Sequence, residues 1–315
     1  MTLLFWVGLA CASAERRKVI IIADVGIDDA AALVLALGSP ALEVLGVASS
    51  FGCHRDPRQT AANARTLLDA ANSSIPVYLG PRHTMSGESL VRDGTAYHGL
   101  QGFGTSDLPP RDPKPGIPSA AEWIASEARA APGAISVACL SPPTILALAT
   151  LIEPRLPGLL DAVAIMGGGD REFNFRSDPA AARFVLREFA TTLVVAPLDL
   201  TMNYLVDQAV MDSLAVALPG RLVRRAWDTY RAAYCENKRT ACGTTPLHDA
   251  HVVAYLADPS LYTTSIQRAN HLLGDPLDHD QACAAQNITV LSAAHHPRFV
   301  ETLVAATRIV VPSSS

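Results

Sequence analysis

Charge is sparse in this chain and aromatic side chains are sparser: 17% of the 315 residues are charged and 6% aromatic. The 25 basic and 30 acidic residues leave a net charge of -5. No basic stripe is available to neutralise phosphates, and no basic and aromatic residues interleave to stack bases, so a nucleic-acid partner is excluded. No repeat recurs at a fixed period, and no linker divides the chain. Also missing is a Gly-x-Gly-x-x-Gly after the first apolar run. The turn there carries acid where a pyrophosphate would need free amides, which excludes a generic dinucleotide-binding enzyme.

Long apolar runs are missing as well. The block Leu3–Ala12 is too short to span a membrane, so no membrane partner is expected. It is followed by Ala12-Ser13-Ala14, a small-x-small pattern, and by Glu15-Arg16-Arg17-Lys18. Residues 1–14 therefore read as a signal peptide cut after Ala14, although no Lys or Arg precedes the apolar block. The expectation is a secreted protein whose residues 15–315 form one domain; a cytoplasmic protein with an apolar extension is the alternative. Cleavage would remove Cys11 and leave five cysteines, an odd number that argues against a full disulfide framework. Cys235 and Cys242 are close enough to pair, and sequons at Asn72 and Asn287 suit a secreted chain.

What is present begins at Lys18. The β-branched run Val19–Ile22 reads as a buried strand. It gives way to Asp24, turns at Gly26, and presents Asp28 and Asp29 as the Ala/Leu-rich segment Ala30–Leu37 starts a helix. Open α/β sheets bind ligands at that edge. One Asp would serve as a helix cap. Three carboxylates within six residues exceed what capping needs, and their mutual repulsion would be relieved by a divalent cation.

Alternation continues downstream. Strands are expected at Leu42–Ser50, Ile75–Gly80, Ile135–Leu140, Ala162–Met166 and Thr192–Ala196. Helices are expected at Gln59–Ala71, Ala120–Ala131, Thr144–Leu151 and Pro179–Phe189, with a long surface loop over 81–118. The rhythm implies an α/β fold, a Rossmann-like and mostly parallel sheet with helices on both faces. The C-terminal third reads as more helical and carries a second polar cluster, Pro246–Ala250.

Several separated stretches resemble one family in order. They are Asp24–Asp29, His98-Gly99 with Asp107–Pro109, Ser141–Thr144, Met166–Gly168 with Glu172–Asn174 and Asp178-Pro179, Leu198–Thr201, and Pro246–Asp249 with Ala254–Pro259. The chain is similar to the inosine-uridine-preferring nucleoside hydrolases over roughly residues 18–310. The resemblance implies the nucleoside hydrolase fold and a Ca²⁺ ion held by Asp24, Asp29, the carbonyl of Leu140 and Asp249, all oxygen donors as a hard cation requires. It implies ribose contacts from Asp28, Glu172 and Asn174, Asp24 as general base and His248 as acid. His98, Tyr230 and Tyr234 are further candidates at the substrate, as is Trp227. A homodimer or homotetramer is the implied assembly.

The sequence also departs from the family pattern. Ile22 stands where an Asp is usual, Val25 where Pro is usual, and Cys53 where an Asn usually follows Gly52; the stretch from Gly169 to Glu172 is shortened. A hydrolase of a different N-riboside, or a catalytically weakened nucleoside- or ribose-binding homologue, are the alternatives these departures leave.

Overall fold

In the computed structural model, the described residues are 15–90, 92–104, 119–169, 171–273, 283 and 285–309. The expected signal peptide and Asp107–Pro109 lie outside them. Parallel strands run β1 (Arg17–Ala23), β2 (Leu42–Ser49), β3 (Val77–Leu79), β4 (Ile135–Cys139), β5 (Ala162–Met166) and β6 (Leu193–Ala196). Between and around them lie α1 (Ile27–Gly38), α2 (Pro57–Ala70), α3 (Thr95–His98), α4 (Ala120–Ala130), α5 (Thr144–Ile152), α6 (Leu156–Leu159), α7 (Phe173–Ser177), α8 (Pro179–Glu188) and α9 (Leu198–Thr201). The C-terminal part adds β7 (Val206–Asp207), α10 (Gln208–Leu214), α11 (Leu218–Glu236), β8 (Thr244–Thr245), α12 (His248–Ala257), β9 (Tyr262–Arg268), α13 (Ala269–Leu273) and β10 (Asn287–Ala294). A helix over His296–Ile309 follows.

Among the described residues the main sheet has eight strands, ordered β3-β2-β1-β4-β5-β6-β10-β9. Every pairing is parallel except β10 with β9. The expected α/β architecture is the observed one. The C-terminal third is less purely helical than expected, because β9 and β10 extend the sheet. Alternation in β9 runs exposed and half-buried rather than buried and exposed, as befits an edge strand, so its period-2 signal is weak.

β1 is buried on both faces, as a central parallel strand must be. Its side chains alternate between two apolar cores: Val19, Ile21 and Ala23 join α1 and α12 on one face, and Ile20 and Ile22 join α4 and α5 on the other. Ile22 is fully buried, and its register neighbours are Ala48 and Cys139. At this position the chain has filled the place of a supporting carboxylate with core packing.

Within the expected loop over 81–118, α3 forms a short helical turn that carries His98. Cys235 and Cys242 form a disulfide between the end of α11 and the turn before β8, while Cys53, Cys139 and Cys283 are free and buried.

Candidate active site

The carboxyl ends of five adjacent strands open onto one cavity of about 350 Å³. Asp24 follows β1, Cys53 follows β2, Leu140 follows β4, Glu172 and Asn174 follow β5, and Leu198 follows β6; all line it. Asp28 and Asp29 enter from the first turn of α1, His98 from α3, Tyr230 and Tyr234 from α11, and His248 and Asp249 from the first turn of α12. Chain segments more than 200 residues apart thus meet at one sheet edge, where a doubly wound fold places its ligand.

The aspartates are interlocked. Asp29 caps α1: its carboxylate accepts the backbone N–H of Asp24 at 3.2 Å and of Gly26 at 3.0 Å. Capping and ligand readings therefore both apply to it. Asp24 accepts the backbone N–H of Cys53 through Oδ2. That approach depends on Gly52, which takes φ +152° and on which a Cβ would sit 1.8 Å from Asp24 Oδ2. Oxygens of Asp28, Asp29 and Asp249 fall within 4.8 Å of one another, and so do ligand atoms of Asp24, Asp29 and Cys53. Asp29 joins the two groups.

These acids are buried with no cation beside them. Burial pushes the Asp24 and Asp249 carboxyls well up, and neighbouring carboxylates push the same way. Burial, with the Asp28 charge next, raises Asp29 to about 7, against the pull of its backbone donors. Like charges gathered out of water are the condition a divalent cation relieves. The donor set fits one: carboxylates dominate, with the Leu140 carbonyl at the cavity wall. The Cys53 thiol is pushed up by burial and by the carboxylates, stays neutral, and donates to Asp29 Oδ2 at 3.7 Å. Cys53 lines the site though sequence reasoning set it aside as a departure; its place directly after Gly52, opposite the end of β1, was the available signal.

A second, hydrogen-bonded line of side chains faces the acids. Tyr230 donates its hydroxyl to Asp28 Oδ2 at 3.2 Å. The Tyr234 hydroxyl lies 3.4 Å from that of Tyr230 and 2.7 Å from His248 Nε2. His248 Nδ1 lies 2.6 Å from Thr201 Oγ1, and the Thr201 hydroxyl donates to the Leu198 carbonyl at 3.1 Å. A hydroxyl has one proton to give, so His248 Nδ1–H donates to Thr201 and Nε2 accepts from Tyr234. Burial holds His248 down to about 4, so the ring is neutral. Thr201 was not singled out from the sequence; nothing but the fold links it to His248.

His98 is neutral as well. Its Nδ1 accepts the backbone N–H of Ile27 at 3.0 Å, and burial lowers its pKa. Its approach of 3.9 Å to Asp28 Oδ1 is therefore not an ion pair. Gly26 makes room for it, since a Cβ there would meet Cys53 Sγ at 2.4 Å and His98 Nδ1 at 2.6 Å.

Glu172 and Asn174 are 2% and 5% exposed, not a solvated loop. The Glu172 carboxylate accepts from the backbone of Asn174 at 2.6 Å, Phe175 at 2.8 Å and Gly168 at 3.3 Å, capping α7. Burial nevertheless raises it to about 7. Asn174 Nδ2 donates to the carbonyls of Leu140 at 3.0 Å and Met166 at 3.1 Å, tying the ends of β4 and β5 together.

Two expectations move elsewhere. Trp227 does not line the cavity; it is fully buried in the core, with its indole N–H on Thr245 Oγ1 at 2.7 Å. Its spacing from Tyr230 turns it off the face that Tyr230 and Tyr234 share. Asp178, from the motif Asp178-Pro179, is structural: it caps α8 through Ala181 and accepts from Thr144 and the Met85 amide.

Comparison with known proteins gives the same answer. The profile of the inosine-uridine preferring nucleoside hydrolases matches residues 19–301. The chain is 31% identical to the inosine-uridine preferring nucleoside hydrolase of Leishmania major, over 79% of this chain and 81% of that protein. It is 30% identical to the pyrimidine-specific ribonucleoside hydrolase RihA of Klebsiella pneumoniae, over 76% and 79% of the two chains. A solved plant nucleoside hydrolase superposes with a TM-score of 0.82 at 25% identity, covering 95% of this chain and all of that one. Strand order, site and sequence agree: the chain belongs to the inosine-uridine preferring nucleoside hydrolase family and is a hydrolase of N-glycosyl compounds.

Proposed function

We propose that the protein is a Ca²⁺-dependent hydrolase that cleaves ribonucleosides into ribose and free base. The observation that carries this reading is the convergence of Asp24, Asp28, Asp29 and Asp249 on the floor of one cavity beneath Tyr230, Tyr234 and His248. Asp24, Asp29, Asp249 and the Leu140 carbonyl would hold the cation. When bound, the cation supplies positive charge that positions an attacking water and lowers its pKa.

The remaining roles belong to the chain. Asp24 accepts the proton of the attacking water as general base, held in place by the Cys53 amide. Cleavage of an N-glycosidic bond builds positive charge on the sugar, and the surrounding carboxylates stabilise it. Asp28, Glu172 and Asn174 orient the ribose. A site built to bind hydroxyls leaves its own polar groups unpaired when one is missing, so 2′-deoxyribonucleosides react poorly. At the leaving-group end the Tyr234–His248 pair holds the proton nearest the departing base. His248 fixes the Tyr234 hydroxyl rather than donating directly, because its own cavity-facing nitrogen is an acceptor in this geometry.

The protein is inferred to be secreted and to form a homodimer or homotetramer. The Cys235–Cys242 disulfide suits an oxidising compartment, and Asn72 and Asn287 are exposed as glycosylation requires. Among the described residues, no helix is long and apolar enough to cross a membrane.

The test is a panel of inosine, uridine, cytidine, guanosine and 2′-deoxyuridine, assayed for reducing sugar. The expected result is release from ribonucleosides with little from deoxyuridine. Saturable nucleoside binding with no sugar release would instead establish a binding protein on this scaffold.

A further inference from the structure

The cavity's charges are stratified. Its acids, Asp24, Asp28, Asp29, Glu172 and Asp249, are at most 5% exposed and form the floor. Four arginines line the same cavity, Arg92, Arg171, Arg176 and Arg239, and all four are exposed, so they sit at the mouth. Arg92, Arg176 and Arg239 form no ion pair among the described residues. In a chain with only 25 basic residues, four at one opening is a concentration that a neutral nucleoside does not call for.

The stereochemistry of the ligand says what they would meet. In a β-ribonucleoside the 2′,3′-diol lies on one face of the furanose, and the base and C5′ lie on the other. With the diol on the floor carboxylates, both the base and C5′ point to the mouth. The tyrosines of α11 occupy the α1 and α3 side of the opening, where the base fits. Arg171 and Arg176 flank Glu172 and Asn174 beyond the end of β5, across β4 from Asp24. Arg171 holds φ +64° directly after the glycine turn. C5′ is directed to this side.

We propose that the preferred substrate is an N-riboside carrying an anionic 5′ substituent, a 5′-phosphate, which Arg171 and Arg176 bind. A guanidinium matches phosphate oxygens with paired N–H donors. The proposal rests on the N-ribohydrolase reading and sharpens its substrate class. If the arginines only offset the floor's negative charge, they favour no 5′ group.

The experiment compares uridine with uridine 5′-monophosphate, in wild type and in Arg171→Ala/Arg176→Ala. It reads kcat/KM, and also calorimetric Kd on an Asp24→Asn background that does not turn over. The expected result is a preference for the 5′-monophosphate of about 10-fold or more in both readouts at low salt, since paired charge-assisted contacts are worth at least that. That ratio shrinks as ionic strength rises and approaches one in the double variant. Equal or better use of uridine by wild type, or a ratio the double variant leaves unchanged, overturns the proposal while leaving the nucleosidase reading intact. If neither compound is hydrolysed, the nucleosidase reading fails, and the ratio of the two Kd values still decides whether a 5′-phosphate site exists.

Discussion

The Tyr234 hydroxyl donates to His248 Nε2 at 2.7 Å, and this pair, rather than the imidazole alone, presents a proton to the cavity. The direction follows from Thr201, which spends its single proton on the Leu198 carbonyl and so must accept from Nδ1. Tyr234→Phe and His248→Ala should each lower kcat for uridine by about 10²-fold or more, the usual scale for a positioned acid. With 4-nitrophenyl β-ribofuranoside, whose leaving group needs no proton, both variants should retain most of their activity. Equal losses on the two substrates would show that these residues only shape the cavity.

Asp24→Asn removes the base and keeps the shape. Turnover should fall by about 10²- to 10⁴-fold. Burial and its like-charged neighbours push the Asp24 carboxyl well up, so the neutral amide should also raise the melting temperature of metal-free protein. Thermal unfolding in chelator checks the second outcome, and a lowered melting temperature would mean the carboxylates are not in conflict.

Gly52 is the backbone position on which the base depends. Gly52→Ala places a methyl group 1.8 Å from Asp24 Oδ2 at a φ of +152°. A cost of about 1–3 kcal/mol in stability is expected from the backbone alone, together with loss of activity as Asp24 is displaced. Cys53→Ala, by contrast, keeps the amide that holds Asp24 and should preserve the fold.

Stability and pH should be linked through the ion. Asp29 and Glu172 are raised to about 7 in the folded chain, above their unfolded values near 4. The folded metal-free protein binds more protons than the unfolded chain between those limits, so it loses stability as pH rises through that window. His248 works in the opposite direction: lowered to about 4 from about 6.5, it contributes stability above 6.5 that is lost as pH falls toward 4. A cation that discharges the carboxylates should raise the melting temperature more at pH 8 than at pH 5, which differential scanning fluorimetry with and without Ca²⁺ can measure.

Much of this was legible in the chain. Val19–Ile22 announced a buried strand because a central parallel strand has no polar face, and the alternation that followed gave the sheet. The acid cluster was visible because three of its four members are local. What was missed is non-local. Thr201 and His248 are brought together only by packing of α9 on α12. The edge strand β9 was hidden because its burial alternates weakly. Trp227 was misplaced because helical spacing fixes a side chain's angle only relative to neighbours, and Tyr230 and Tyr234 take the face it lacks. Ile22 looked like a loss when the site was read along the sequence. In space it belongs to the opposite core, so its cost falls on the support of Asp24 and not on the cavity itself.

The most direct test of the account is base release from uridine by protein stripped with chelator, followed as Ca²⁺ is added back. The expected result is no release at zero Ca²⁺ and a saturable rise with Ca²⁺ that Asp249→Ala shifts to higher concentration or abolishes. Full turnover in the stripped protein, undiminished by Asp249→Ala, would contradict it.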